Sequence, residues 1–154
     1  MQRTLVMVKP DGVQRGLVGE VVSRLENKGL KIVALKFLSL GKDRAEKLYG
    51  VHKERKFYPS LIKFVTGGPV CAIAVEGPAA ITLVRNLMGA TFGTDAVPGT
   101  IRGDFGASRS YNLVHGSDSP ESAARELPIL FAESDFVDYK PLIAPWVFDE
   151  AEDK

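Results

Sequence analysis

Four apolar runs separated by stretches of helical spacing constrain this 154-residue chain more than any other feature it has. Thr4-Leu5-Val6-Met7-Val8 reads as a short buried strand, ended by the turn residues Lys9-Pro10-Asp11-Gly12. Leu17, Val21, Val22 and Leu25 then share one helical face, and Gly29 follows as a helix-terminating residue. Leu30 to Leu40 alternates apolar positions such as Ile32 and Ala34 with Lys31 and Lys36, which predicts a second strand. Two short helices, Asp43 to Gly50 and Tyr58 to Thr66, precede the breaker Gly67-Gly68-Pro69. Val70 to Val75 is a continuous apolar strand, and Ala79 to about Met88 is helical. An irregular stretch, Gly89 to Ser108, holds five glycines and Pro98, and a loop that long in a compact domain is usually functional. A strand at Tyr111 to Val114 and a helix from Pro120 complete the order.

This order is β-α-β-(αα)-β-α-β, the split βαβ plan. It predicts an α+β, ferredoxin-like sandwich: a four-stranded antiparallel sheet with helices packed on it, expected on one face. The length suits one domain, taken as residues 1–148, and residues 149–154 read as an acidic, frayed tail.

Charge excludes some function classes. Twenty basic against nineteen acidic side chains give a net charge of +1, so no general basic field recruits nucleic acid or an anionic membrane. Any polyanion site must be local. The lone Cys71 lies in an apolar run and reads as a buried, inert thiol. With two histidines and one cysteine, and no His-Glu-x-x-His, a transition-metal site on the protein is not expected. No basic segment precedes an apolar stretch at Met1 and no run approaches a membrane span, so a soluble, cytoplasmic protein is expected.

His115 is the residue with most chemical promise. It follows Tyr111-Asn112-Leu113-Val114 and precedes Gly116-Ser117-Asp118-Ser119-Pro120-Glu121, where Ser119, Pro120 and Glu121 form a good helix start. Helix N-termini collect anions, so a histidine there could meet a phosphate; equally it could be a hydrogen-bonded structural residue. Phosphoryl chemistry needs cations and donors converging on several oxygens. Lys9 at the first strand end, Arg85 late in a helix, and Thr91, Arg102 and Asn112 in or beside the long loop are candidates, though surface arginines are common. The glycines in Pro98-Gly99-Thr100-Ile101-Arg102-Gly103-Asp104 favour an inward Arg102. Glu126, eleven residues after His115, either folds back to fix the imidazole tautomer or is an exposed helix acid; Asp118 could simply cap the helix. A Gly-x-x-x-x-Gly-Lys-Ser/Thr loop, a Gly-x-Gly-x-x-Gly after the first strand and protein-kinase motifs are all missing, and a histidine nucleophile with a ring of cations would fit a covalent phosphohistidine intermediate.

Three blocks in order, Lys9-Pro10-Asp11-Gly12-Val13-Gln14-Arg15-Gly16, Pro98 to Phe105, and Asn112 to Ser119 with Glu121-Ser122-Ala123, resemble the signatures of nucleoside diphosphate kinases over nearly the whole length. The resemblance implies exchange of the terminal phosphate between nucleoside triphosphates and diphosphates through phosphorylated His115, with magnesium held chiefly by nucleotide phosphates. It implies a homo-oligomer, commonly a hexamer. By position, it implies that Lys9, Tyr49, Arg85, Thr91, Arg102 and Asn112 contact phosphates and sugar and that Phe57 stacks on the base. Glu126 would orient His115, and Ser117 would hydrogen-bond near the imidazole. Arg109 departs from the usual aliphatic residue opposite Phe57, and would either stack on the base or swing to solvent. Lys56 and Phe92 depart too. A catalytically idle nucleotide-binding or interaction module on the same scaffold is the competing reading, motivated by Arg109.

Overall fold

The computed structural model describes residues 1–149 and 151. Strand β1 (Gln2–Val8) leads into a short helix α1 (Pro10–Gln14), then α2 (Val18–Asn27) and β2 (Lys31–Ser39). Helices α3 (Lys42–Leu48) and α4 (Tyr58–Val65) precede β3 (Pro69–Gly77) and α5 (Ala80–Met88). A further short helix, α6 (Ile101–Phe105), then β4 (Val114–Gly116) and α7 (Pro120–Leu130) follow. The four strands lie in the order β2-β3-β1-β4, with every neighbouring pair antiparallel. The expected tail begins at Asp149, and positions 150 and 152–154 lie outside the described residues.

The expectation of helices on one face is corrected: both faces are covered. Successive strand residues point to opposite faces. Leu5 and Met7 join a cluster with Ala45, Leu48, Ile62, Val65, Leu127 and Leu130 from α3, α4 and α7. Val6 and Val8 join another with Val21, Leu25, Val84, Met88 and Ile101 from α2, α5 and α6. Uninterrupted apolar runs such as Leu5–Val8 and Val70–Val75 are what a central strand buried on both sides requires.

Local signals hold at the element ends. Gly29 adopts φ +91° just past α2, and Ser119 caps α7 by accepting from Ser122 N at 3.0 Å. Asp118 is not the cap; it accepts from Ser122 Oγ at 2.6 Å. Two short helices replace expected irregular backbone. Pro10 and Asp11 open α1, and within the long glycine-rich stretch Thr100 Oγ1 accepts from Gly103 N at 3.0 Å to cap α6. A Cβ on Gly103 would collide with the Val97 carbonyl, so this close approach requires glycine.

The last strand is shifted from Tyr111–Val114 to Val114–Gly116, so His115 lies at its centre rather than beyond its end. Leu113 sits in the left-handed region at φ +71°, its N–H donating to Asp11 Oδ2 at 3.0 Å and its carbonyl accepting from Lys9 N at 2.8 Å. Those contacts remove residues 111–113 from the ladder.

Candidate active site

Register places the histidine. His115 pairs with Met7, and directly opposed residues of an antiparallel pair share a face, so its ring enters the side covered by α3 and α7. There Tyr49, which ends α3, meets the imidazole edge-on with centroids 5.4 Å apart. Glu126 projects from α7, and its Oε2 lies 2.9 Å from His115 Nε2 while accepting from Ser117 Oγ at 2.6 Å. Arg125 reaches the other oxygen, Oε1, at 3.3 Å. Burial pushes the Glu126 carboxyl up, yet the hydrogen bonds from His115 and Ser117 and the nearby positive charges outweigh it and hold the group below its ordinary range. An ionised Glu126 makes Nε2 the donor, so in the neutral imidazole the free lone pair is on Nδ1.

Among the described residues the buried polar or charged side chains are Thr4, Lys9, Arg102, Asn112, Ser117 and Glu126; all but Thr4 are sequence-predicted site residues. Burying such groups costs free energy unless they gain partners. Arg102 gains three: Nε donates to Asn112 O at 3.1 Å, one terminal nitrogen to Gly89 O at 3.2 Å and the other to Val114 O at 2.7 Å. Burial, with Arg85 nearby, brings this guanidinium down to about 10. Asn112 Nδ2 donates to Thr91 O at 2.8 Å, drawing the two ends of the long loop together. Arg85 is half-buried, with a terminal nitrogen 3.5 Å from Gly116 O. Lys9 is brought down to about 8, by burial against the opposing pull of Asp11 and with the help of Arg102. Among the described residues the Tyr49 hydroxyl, Asn112 Oδ1, Asp11 Oδ1 and Thr4 Oγ1 are buried without a hydrogen-bond partner.

Phe57 and Arg109 are both exposed. Phe57, just before α4, is 50% exposed, with the His52 ring 5.5 Å away. The exposed Arg109 has its guanidinium 4.1 Å over the centroid of Phe92. Sequence reasoning missed Asp11, which holds the Leu113 turn, and the stacked pair Phe64 and Tyr111. For Asp11 the signal was present, since proline followed by an acid opens a helix.

Comparison with known proteins supplies the class. Residues 2–136 match the family model described as nucleoside diphosphate kinase. The nucleoside diphosphate kinase of Archaeoglobus fulgidus is 53% identical over 150 residues, covering 97% of this chain and 99% of the relative. That of Trichormus variabilis is 50% identical over 149 residues, covering 97% of this chain and all of the relative. The halophilic nucleoside diphosphate kinase from Halobacterium salinarum, solved in complex with CDP, superposes with a TM-score of 0.94 at 47% identity, covering 96% and 99% of the two chains. Fold and relatives together define a nucleotide phosphotransferase. The chain belongs to the nucleoside diphosphate kinase family, and its reaction is transfer of the terminal phosphate of a nucleoside triphosphate to a nucleoside diphosphate.

Proposed function

We propose that the transfer runs through His115 in two half-reactions. Nδ1 attacks the terminal phosphorus of the triphosphate, an N–P bond forms, and the bond to the bridging oxygen breaks to release the diphosphate. A second diphosphate then attacks the phosphohistidine with its terminal oxygen, and the N–P bond breaks. The observation that carries this reading is Glu126 holding Nε2, which leaves Nδ1 as the nucleophile. Glu126 and Ser117 orient the ring, and Glu126 balances charge as the phosphorylated imidazole forms.

Lys9, Arg85, Arg102, Tyr49, Thr91 and Asn112 bind the phosphates and sugar in this reading. Phe57 stacks on the base, and one aromatic face serves every base, which supports broad base tolerance. CDP in the halophilic relative is one such diphosphate on this scaffold. Among the described residues no three His, Cys, Asp or Glu side chains converge on a point that could hold an ion. A donor set of cations and hydroxyls fits magnesium carried chiefly by the phosphates, where it would neutralise developing charge.

We take residues 1–148 as one domain and the assembly as a homo-oligomer, with a hexamer favoured. Supporting this are the edge strand β2 with exposed Leu35 and Phe37, and the tail residues Leu142 and Trp146, at 97% and 91% exposed. A cytoplasmic location fits the unpaired Cys71 and the nucleotide substrates, and no helix among the described residues is long and apolar enough to cross a membrane.

The test is incubation with magnesium and terminally labelled ATP, removal of nucleotide, and addition of GDP. Acid-labile label that moves to GTP, and is lost in His115→Gln while nucleotide binding persists, is the expected result. ATP binding without label would favour an idle nucleotide-binding module instead.

A further inference from the structure

Phe64 on α4 and Tyr111, the residue before Asn112, stack with ring centroids 4.8 Å apart and planes inclined by only 14°. Lys9 Nζ lies 5.6 Å from the centroid of that same Phe64 ring. Lys9 is 6% exposed, Phe64 is half-buried, and Tyr111, at 57% exposed, is the outer member of the series. Among the described residues Nζ forms neither a hydrogen bond nor an ion pair, and it keeps some contact with solvent. The charged groups that face it are Asp11 on α1 and Arg102 on α6.

An ammonium left this way is costly to bury and gains from any anion that reaches it. Aromatic faces contribute to that condition, because they exclude water while offering no acceptor atom that would compete with a phosphate oxygen. In such surroundings the attraction between Lys9 and phosphate is stronger than it would be in water. We propose that the Phe64–Tyr111 stack walls one side of the Lys9 pocket, making both residues positioning residues that limit the ammonium's contact with water and direct it at the transferring phosphate. The proposal rests on the reading of Lys9 as a phosphate ligand; the exclusion of water by the stack can be measured without it.

Two influences of the cover oppose each other. A ring face favours the ammonium, weakly at this distance, whereas loss of water disfavours it. Burial is the larger, since Lys9 lies at about 8 rather than 10.5. Removing the cover therefore moves Lys9 upward.

The experiment uses protein labelled with 13C at the lysine ε-carbon and titrated by NMR, with the Lys9 signal assigned by its absence in Lys9→Arg. In the wild-type protein the midpoint is expected at about 8. Tyr111→Ala and Phe64→Leu should raise it by about one pH unit, and Tyr111→Phe, which keeps the stack, should leave it in place. The alkaline limb of kcat/KM should shift by the same amount in the same variants. A Lys9 midpoint unchanged in both Tyr111→Ala and Phe64→Leu would overturn the proposal, as would a wild-type midpoint at the ordinary lysine value. An unlabelled, inactive wild-type protein whose Lys9 midpoint still responds to Tyr111→Ala would remove the phosphotransfer reading and leave the cover standing.

Discussion

Arg109 rests its guanidinium on the face of Phe92, 4.1 Å from the ring centroid. Both residues stood out in the sequence, and they meet. Phe92 follows Thr91, whose carbonyl accepts from Asn112 Nδ2, and Arg109 precedes Asn112 by three positions. The contact is therefore a second tie between the segments that carry Thr91 and Asn112. A cation–π pair at an exposed site contributes about 0.5–1 kcal/mol. Arg109→Ala and Phe92→Ala should each raise nucleotide KM by about two- to fivefold with little change in kcat. The double variant should be no worse than either single one; additive losses in that cycle would show that the two side chains act separately.

Glu126→Gln keeps an acceptor beside His115 and removes the charge. The rate of histidine phosphorylation should fall on the order of tenfold to a hundredfold with nucleotide affinity retained, measured by rapid-quench labelling. The carboxyl lies below its ordinary 4.5 in the folded protein, so its stabilising contribution is complete above that pH and lost as pH falls through the lower folded value. In urea denaturation the wild-type advantage over Glu126→Gln should shrink below about pH 4.5 and hold steady above it.

Phe57 offers an exposed ring. Phe57→Ala should weaken purine and pyrimidine nucleotides alike, by about 1–3 kcal/mol, because stacking uses the π face that every base has. Calorimetric titration with ADP, GDP and CDP checks this. Loss confined to purines would mean that base edges are being read instead.

Asp104 joins α6 to α2 and to the loop before it. Its Oδ1 accepts from Gly99 N at 2.8 Å and its Oδ2 from Arg24 at 2.6 Å, and these contacts hold the carboxyl below its ordinary 3.8. Arg24 also donates to Gly99 O at 3.0 Å. Because α6 carries Arg102, Asp104→Asn should lower Tm at pH 7 and raise nucleotide KM. A depressed carboxyl stabilises above its ordinary pKa, so the Tm gap between the two proteins should narrow as pH falls below about 3.8. A gap independent of pH would show that the charge of Asp104 contributes nothing.

Much of the site was legible because its signals are local. Ser119-Pro120-Glu121 marks a helix start wherever it lies, and the blocks around Lys9, Arg102 and His115 name the chemical groups directly. Glu126 was different. From position alone it is one acid on a helix, and its contact with His115 depends on how α7 packs across β1 and β4. Arg109 shows the same limit from the other side: two expected positions were open to it, and the structure places it on Phe92, which is seventeen residues away in sequence.

The sequence by itself determined the order of the strands and longer helices, most of their ends and the set of reactive groups, since periodicity, capping and turn chemistry act over a few residues. Tertiary structure decided the rest. The sheet is covered on both faces because β1 is apolar on both, and no one-sided arrangement would bury Leu5 and Val6 together. The β4 register followed from Asp11 capturing the Leu113 N–H, a contact across more than one hundred residues. That register turns His115 toward Glu126, so the chemistry of one named histidine rests on packing between parts of the chain that local sequence does not connect.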